Sequence, residues 1–374
     1  MKNYKESTIS AFFALLRAGL WETEVRLEPY GKLDYSEVYR LATEQSVVGL
    51  IAAGLEHVVD VKVPQGLSLT IAGDVLQIEK RNRGMNLFVA SLFDHLRRKG
   101  IYVVLVKGQG VAQCYERPLW RASGDVDLFL DEVNFIKARE CLRPRLTVEF
   151  DPTDDYARNI SAKIGNWDIE LHANQNSTLS SDIDNCLKLI QEEVLSKERV
   201  RSWENEGIQV KLPEANRDIL IVFTHFLKHF YKGGLGLRQI CDWIRLIWTY
   251  RNSLDLSLLS QRLDAMRLKT EWKAFAMYAV TYLGMPEDII PFYERKKRWE
   301  SKAVSINTFV LKVGNMGHNR DYSMYGKSFL IRKLLSFGRK CDDLAKHALI
   351  FPFDSFRFFI GILANGIKHA LRGN

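Results

Sequence analysis

Residues 101–130 read IYVVLVKGQGVAQCYERPLWRASGDVDLFL, and the hydrophobic period changes twice within them. Ile101–Val106 is an unbroken apolar, β-branched run, the pattern of a strand buried on both faces. Lys107-Gly108-Gln109-Gly110 then forms a glycine-containing loop that opens a short helix to about Glu116, and Pro118 ends it. Asp125–Leu130 alternates between two faces and reads as a second strand.

Asp125 and Asp127 stand at i and i+2, so both carboxylates project from one side of that strand. Two anions held this close repel each other, and a divalent cation relieves the repulsion. The preceding loop lies at a helix start, where backbone N–H groups can hold phosphate oxygens. Together these features suit a metal-bound triphosphate. A third acid comes from a hairpin, Ile160–Ile164 and Asp168–Ala173 around Gly165-Asn166, whose second strand puts Asp168, Glu170 and His172 on one face. Beside Asp125–Leu130, that strand would bring one of its acids to the metals, and spacing alone does not choose between Asp168 and Glu170. Lys107 and Arg121 flank the loop and the acids, where they serve as phosphate contacts or as surface ion pairs. The competing readings are a turn or N-cap pair for the two aspartates, a solvent-facing residue for Glu170 and a packed side chain for His172.

Further out the pattern is mainly helical. Residues 8–20 and 35–57 read as helices, the second with Val38, Leu41, Ala42 and Gln45 in phase. A helix over about 74–99 carries the stripe Met85, Phe88, Leu92 and Leu96, and Arg97-Arg98-Lys99 before Gly100 is a stop signal. A helix over 132–142 stops near Pro144, and Leu146–Phe150 reads as a third strand. From 182 onward the pattern is helical, with segments at 214–231, 238–251, 256–268 and 271–283 and breaks near Gly314–Gly317 and Pro352. The expected fold is α+β: a small mixed β-sheet core at 86–212 between helical regions at 1–85 and 213–374. His225 and His229 have metal-ligand spacing but no obvious third ligand. We expect them to pack against Arg238 and Asp242, with a role in binding nucleotide or acceptor as the alternative. Arg238 and Asp242, at i and i+4, read as a helix ion pair.

Of 374 residues, 47% are hydrophobic and 26% charged, which excludes a disordered or collagen-like chain. No run approaches 18 uncharged apolar residues, so no integral membrane span is expected. Ala11–Leu16 is interrupted by Arg17 and reads as part of an amphipathic helix rather than a signal peptide. Cys114, Cys141, Cys186, Cys241 and Cys341 are odd in number, scattered and without a CxxC, which suits a reducing, cytoplasmic setting better than a disulfide or zinc framework. The net charge is +8, but residues 291–374 hold 16 of the 53 Lys/Arg and 6 of the 45 Asp/Glu, a local +10 that leaves −2 for the rest. This basic end can attract phosphate, nucleic acid or anionic lipid, or be a solvated helix face. Its stripe of Phe353, Phe356, Phe359, Ile360, Leu363 and Ile367, near Arg357, Lys368 and Arg372, is expected to pack on the body, with peripheral membrane contact as the alternative.

Taken together, Lys107-Gly108, Arg121-x-x-x-Asp125-x-Asp127, Glu170-Leu171-His172, His225-x-x-Lys228-His229 and Arg238-x-x-x-Asp242 resemble the uncharacterised nucleotidyltransferase family of the DNA-polymerase-β-like superfamily, over roughly residues 10–300. Gln109 departs from the Ser or Gly common there, and Val106 replaces a usual leucine. The family's acid-Leu-His strand favours Glu170 over Asp168. The resemblance implies transfer of a nucleoside monophosphate from an NTP, ATP among the candidates, to an acceptor, with release of pyrophosphate. Asp125, Asp127 and Glu170 would bind two Mg²⁺ ions (Mn²⁺ is an alternative) roughly 3.5–4 Å apart. Lys107, Gly108, Gln109 and Arg121 would contact the nucleotide, with Asp168, His172, His225, His229, Arg238 and Asp242 behind the metals or on the acceptor side. Without metal the three acids should repel, so removing any one should be neutral or slightly stabilising. The acceptor, whether small molecule, sugar, protein or RNA end, is not readable. Two other classes stay open: a nucleotide-binding regulator without turnover, and an interaction protein docking through its basic C-terminus.

Overall fold

The computed structural model describes residues 6–147, 159–315 and 329–371, with the side chains of 329–337, 339–340 and 363–371 left aside. The expected α+β class is what it shows. Helices α1 (Glu6–Trp21), α2 (Tyr35–Glu44), α3 (Val48–Glu56) and α4 (Gln65–Arg98) lead into strand β1 (Val104–Val106) and the short helix α5 (Gly108–Ala112). Strand β2 (Asp125–Phe129), α6 (Glu132–Leu142), β3 (Asn159–Ile164), β4 (Trp167–His172), α7 (Ser181–Leu195), β5 (Val200–Asn205) and β6 (Ile208–Pro213) follow. The rest is α8 (Ala215–Lys232), α9 (Leu237–Tyr250), α10 (Leu256–Met266), α11 (Lys269–Leu283), α12 (Lys297–Val313), α13 (Phe329–Ile350) and α14 (Pro352–Leu371).

One mixed sheet has the order β1-β2-β4-β3. Strand β2 runs antiparallel to β1 and parallel to β4, with Asp125 opposite Asp168 and Asp127 opposite Glu170. The two faces then differ by residue parity. Val126, Leu128, Leu130, Ile169 and Leu171 join Met85, Val89 and Leu96 of α4 and Phe135 and Ala138 of α6 in one small core. The opposite face carries the acids. Helices α8 and α9 are buried through Phe223, Phe226, Phe230, Trp243 and Ile244 in a second core, which also takes in Phe12, Leu15 and Leu16 of α1 and Trp272 and Phe275 of α11. The N-terminal and C-terminal helices thus share one interior, and α4 runs straight through residue 85.

Several local expectations need correction. The helix read over 35–57 is two helices, broken where Ser46 takes φ +57° and the wholly buried Gln45 turns its amide to Val310 and Leu237. Helix α4 begins at Gln65, just after Pro64, not near 74. Residues 200–213, read as helical, form the β5–β6 hairpin. Its turn has φ +50° at Glu206 and +74° at Gly207, the positive angles a two-residue hairpin turn demands. Leu146 and Thr147 form no strand, and the remainder of the third strand read at 146–150 lies outside the described residues.

The C-terminal stripe is not packed as expected. Phe353, Phe356 and Ile360 are exposed and Phe359 is half-buried, whereas Phe351 and Phe358 go inward. The side chains of Leu363 and Ile367 lie outside the described residues. No helix among the described residues is long and apolar enough to cross a membrane.

Candidate functional site

The turn between β1 and α5 sets the site's geometry. Lys107 takes φ +58° and ψ −147°, a region that side-chain-bearing residues rarely adopt and that costs of order 1–3 kcal/mol. In that conformation its ammonium donates to Asp127 Oδ1 at 2.7 Å. Gly108 follows at φ +40°, and a Cβ built there would lie 3.3 Å from the Asp125 carbonyl oxygen. The first N–H groups of a helix have no acceptor within it, and Gly108 at the start of α5 lines one recess with Asp125 and Asp127. We expect Gly108→Val to weaken NTP binding by tenfold or more, because it adds bulk against Asp125 and strains a positive φ. Gln109→Ala should weaken it less. Isothermal titration of both variants decides; equal losses would mean that the turn does not cradle phosphate.

Asp127 is the buried centre of the acidic face, with its side chain 3% exposed. His172 Nε2 lies 2.9 Å from the same Oδ1 and 3.3 Å from Glu170 Oε2. Burial opposes the Asp127 anion, yet Lys107 and His172 outweigh it and hold the carboxyl far below the usual range. Burial opposes charge on Lys107 and His172 too, and Asp127 reverses the balance, raising both pKa values. Asp125 behaves oppositely. It opens β2 in contact with solvent, and the surrounding protein together with Asp127 pushes its carboxyl upward. The expectation of three mutually repelling acids therefore fails at Asp127, which already has cationic partners, and holds at Asp125.

Ligand atoms from Asp127, Glu170 and His172 lie within 4.8 Å of one another, a group that could hold a metal ion. Two carboxylates and an imidazole fit a divalent cation of intermediate hardness as well as Mg²⁺. Asp168, opposite Asp125, lies at the open end of the strand: its side chain is 58% exposed and has Lys163 Nζ at 3.8 Å. The strand register thus gathers Asp127, Glu170 and His172 and leaves Asp168 at the rim, with Asp125 beside them at the mouth.

Arg121 and Asp242 form a strut below the acids. Nε and Nη2 of Arg121 each donate to Asp242 at 2.7 Å, and both side chains are under a tenth exposed. Tyr115 Oη donates to the same carboxylate at 2.8 Å, and a third arm of Arg121 reaches Ser123 Oγ at 2.9 Å. Asp242 therefore pairs across to Arg121 and not along its own helix to Arg238, as the i, i+4 spacing suggested. Arg238 donates from Nη1 to the Ala122 carbonyl at 2.8 Å, and its buried Nε has no hydrogen-bond partner among the described residues. Burial and the nearby Arg121 lower its pKa, so an anion beside it would be welcome. Gln109 is almost fully buried, its amide donating to Asn86 Oδ1 at 2.6 Å and its carbonyl accepting from Ser123 at 2.6 Å. Ser123, Asn86 and Tyr115 were not singled out in the sequence, because no spacing rule marks residues that hold other residues.

Helix α8, otherwise buried, leaves His225, Lys228, His229 and Lys232 partly open. The rings of His225 and His229 meet through Nε2 atoms 3.1 Å apart, so one donates to the other, and His225 lines one recess with Arg238 and Asp242. Burial, with Lys107 next, lowers both pKa values, His229 to about 4. Lys228 and Arg238 add to this at His229, while Asp127 opposes it. A folded pKa below the unfolded value near 6.5 means that the unfolded chain holds more protons between them. Stability should then fall as pH drops from about 6.5 to 4, by roughly 2–3 kcal/mol, and His229→Gln should flatten that limb. Urea denaturation across this range checks it; an unchanged slope in the variant would contradict it.

Lys107, Gly108, Asp125, Asp127, His225 and Arg238 line a recess of about 50 Å³. That volume admits an ion and phosphate oxygens, not a nucleoside.

A small mixed sheet with a glycine turn before an Asp-x-Asp strand, and an acid on the parallel neighbour, defines the nucleotidyltransferase class. The family model described as uncharacterised nucleotidyltransferase matches residues 31–284, and the chain belongs to that family. No curated protein and no solved structure matches it.

Proposed function

We propose that the chain transfers a nucleoside monophosphate from an NTP, such as ATP, to an acceptor hydroxyl and releases pyrophosphate. The observation that carries this reading is the register of β2 on β4, which sets Asp127 beside Glu170 under the Gly108 turn. Asp125, Asp127 and Glu170, with His172 beside them, would hold the divalent ions, with Mg²⁺ the first candidate. Bound there, such ions would neutralise the triphosphate and lower the acceptor's pKa.

The chain's own groups orient the reactants. Backbone N–H groups at Gly108 and Gln109 would receive phosphate oxygens. Lys107 can turn from Asp127 to phosphate once a cation takes over that carboxylate. Arg238, with its unsatisfied Nε, is the better phosphate counter-charge; Arg121 is committed to Asp242 and positions the start of β2. His225 borders the recess with His229 against it, and we assign that side to the acceptor. We take residues 86–212 as the nucleotidyltransferase unit with the helices of 1–85 and 213–374 closing around it, and the scattered cysteines favour the cytoplasm.

Pyrophosphate release from each NTP in the presence of Mg²⁺ is the test, with candidate acceptors added in turn. Turnover that disappears in Glu170→Gln supports transfer. NTP binding without release under any acceptor would instead leave a nucleotide-binding protein.

A further inference from the structure

Helix α14 is held to the body by one face. Phe358 is fully buried with its ring 4.7 Å from Tyr231, and Ser355 is buried beside it. Arg357 donates to the Met266 carbonyl at 3.0 Å and to Ser180 Oγ at 3.4 Å. At Gly361 the backbones approach so closely that a Cβ would lie 2.2 Å from the Leu179 carbonyl oxygen. The helix is therefore docked.

Its other face is unusual. Leu349 is 86% exposed, Phe353 88%, Phe356 63% and Ile360 53%. Phe353, Phe356 and Ile360 follow i, i+3, i+7 spacing and form one outward ridge, with Leu349 just before the turn into α14. Phe353 and Phe356 are the exposed phenylalanines among the described residues. Docking therefore aims large apolar groups at solvent, whereas single scattered exposed apolar residues are ordinary. The ridge belongs to the segment 291–374 that carries +10 in a chain whose remainder carries −2.

We propose that this ridge docks on the surface of an anionic lipid bilayer. The charge points to the partner: the chain's net positive charge lies in this segment, and a negatively charged surface attracts it. Shape agrees, because the apolar groups stand on a convex helix flank, as in helices that lie in a membrane interface. The phenyl rings would enter the headgroup boundary while basic residues of the same segment meet the lipid charge. This reading is independent of the proposed transfer reaction.

The test uses the full chain with vesicles of phosphatidylcholine, pure or with 30% phosphatidylserine, read by co-sedimentation. The expected result is binding to the anionic vesicles only, falling severalfold as salt rises from 0.1 to 0.5 M, where screening shortens the reach of charge. Phe353→Ser with Phe356→Ser should reduce binding by on the order of tenfold, with melting temperature and metal-dependent NTP binding unchanged, since neither residue packs inward. Failure of the wild-type chain to bind, equal binding to uncharged vesicles, or equal binding by the double variant would overturn the proposal. A wild-type dimer in light scattering that the double variant dissolves would assign the ridge to a second copy and overturn it as well. A variant that melts lower is replaced by Phe353→Ser alone; unchanged binding of that protein to the anionic vesicles would again contradict the proposal.

Discussion

Asp127→Asn is expected to abolish metal-dependent pyrophosphate release, by a factor of 10³ or more, and to destabilise the protein by ~3 kcal/mol. Both effects come from one carboxylate, whose Oδ1 meets Lys107 and His172 and which lies among the candidate metal ligands. Removing the charge leaves Lys107 buried without its main partner, and breaking a buried ion pair from one side typically costs about 3–5 kcal/mol. Solvent near Asp125 and Glu170 should soften this. Asp125→Asn has the opposite sign for stability. Its carboxyl is pushed upward by its surroundings and Asp127, so neutralising it should be neutral or stabilising by up to ~1 kcal/mol, while activity is lost just as fully. The signs extend to pH. The depressed Asp127 contributes stability that is fully present above its ordinary value of 3.8 and is lost progressively as pH falls from there towards its lower folded pKa. The raised Asp125 works against stability at neutral pH, and acid relieves it as that carboxyl protonates. Chemical denaturation beside a pyrophosphate assay separates the two variants. Similar stability changes in both would contradict the account of the pair.

Asp242→Ala should produce the largest loss of stability at the site, about 3–5 kcal/mol, because Arg121 would be left charged in a buried place. Tyr115 would lose its acceptor as well. A strut that works by charge pairing makes a further demand. Arg121→Met combined with Asp242→Leu should recover much of the stability, since a buried ion pair and a well-packed apolar pair are often near equal. Activity should not return, because Arg121 also holds Ser123, which in turn holds Gln109 under the glycine turn. A thermodynamic cycle over the four proteins tests this. Additive losses would show that the two residues do not act as a unit, and full recovery of turnover would remove them from the positioning of the site.

The parts of this molecule that sequence reveals are those with a local period. The run Ile101–Val106, the Asp125–Leu130 alternation and the hairpin around Gly165 each declare themselves within six or so residues. Strand pairing does not, since parallel β2 and β4 come together across some 40 residues, and only the register shows that Asp127 meets Glu170 while Asp168 faces Lys163. The Asp242 pairing was hidden for a related reason. Its helical neighbour Arg238 offered a local partner, and the tertiary partner Arg121 lies 121 positions away. The β5–β6 hairpin was missed because its strands mix charged and apolar residues, and Glu206-Gly207 is a weaker turn signal than Asn-Gly. At the C-terminus the apolar stripe was legible, but its direction was not. Phe351 and Phe358 face inward against Tyr231, and Arg357 and Gly361 meet Met266 and Leu179, contacts that no local pattern encodes.

In the proposed reaction Asp125, Asp127 and Glu170 make one metal–nucleotide site. Manganese binding followed by electron paramagnetic resonance, with and without ATP, tests it without requiring the acceptor. The account predicts that ATP tightens Mn²⁺ binding to the wild-type protein, that Asp127→Asn and Glu170→Gln abolish the effect, and that Asp168→Asn retains it. Wild-type binding that ATP does not alter, or that survives Glu170→Gln and is lost in Asp168→Asn, would contradict it.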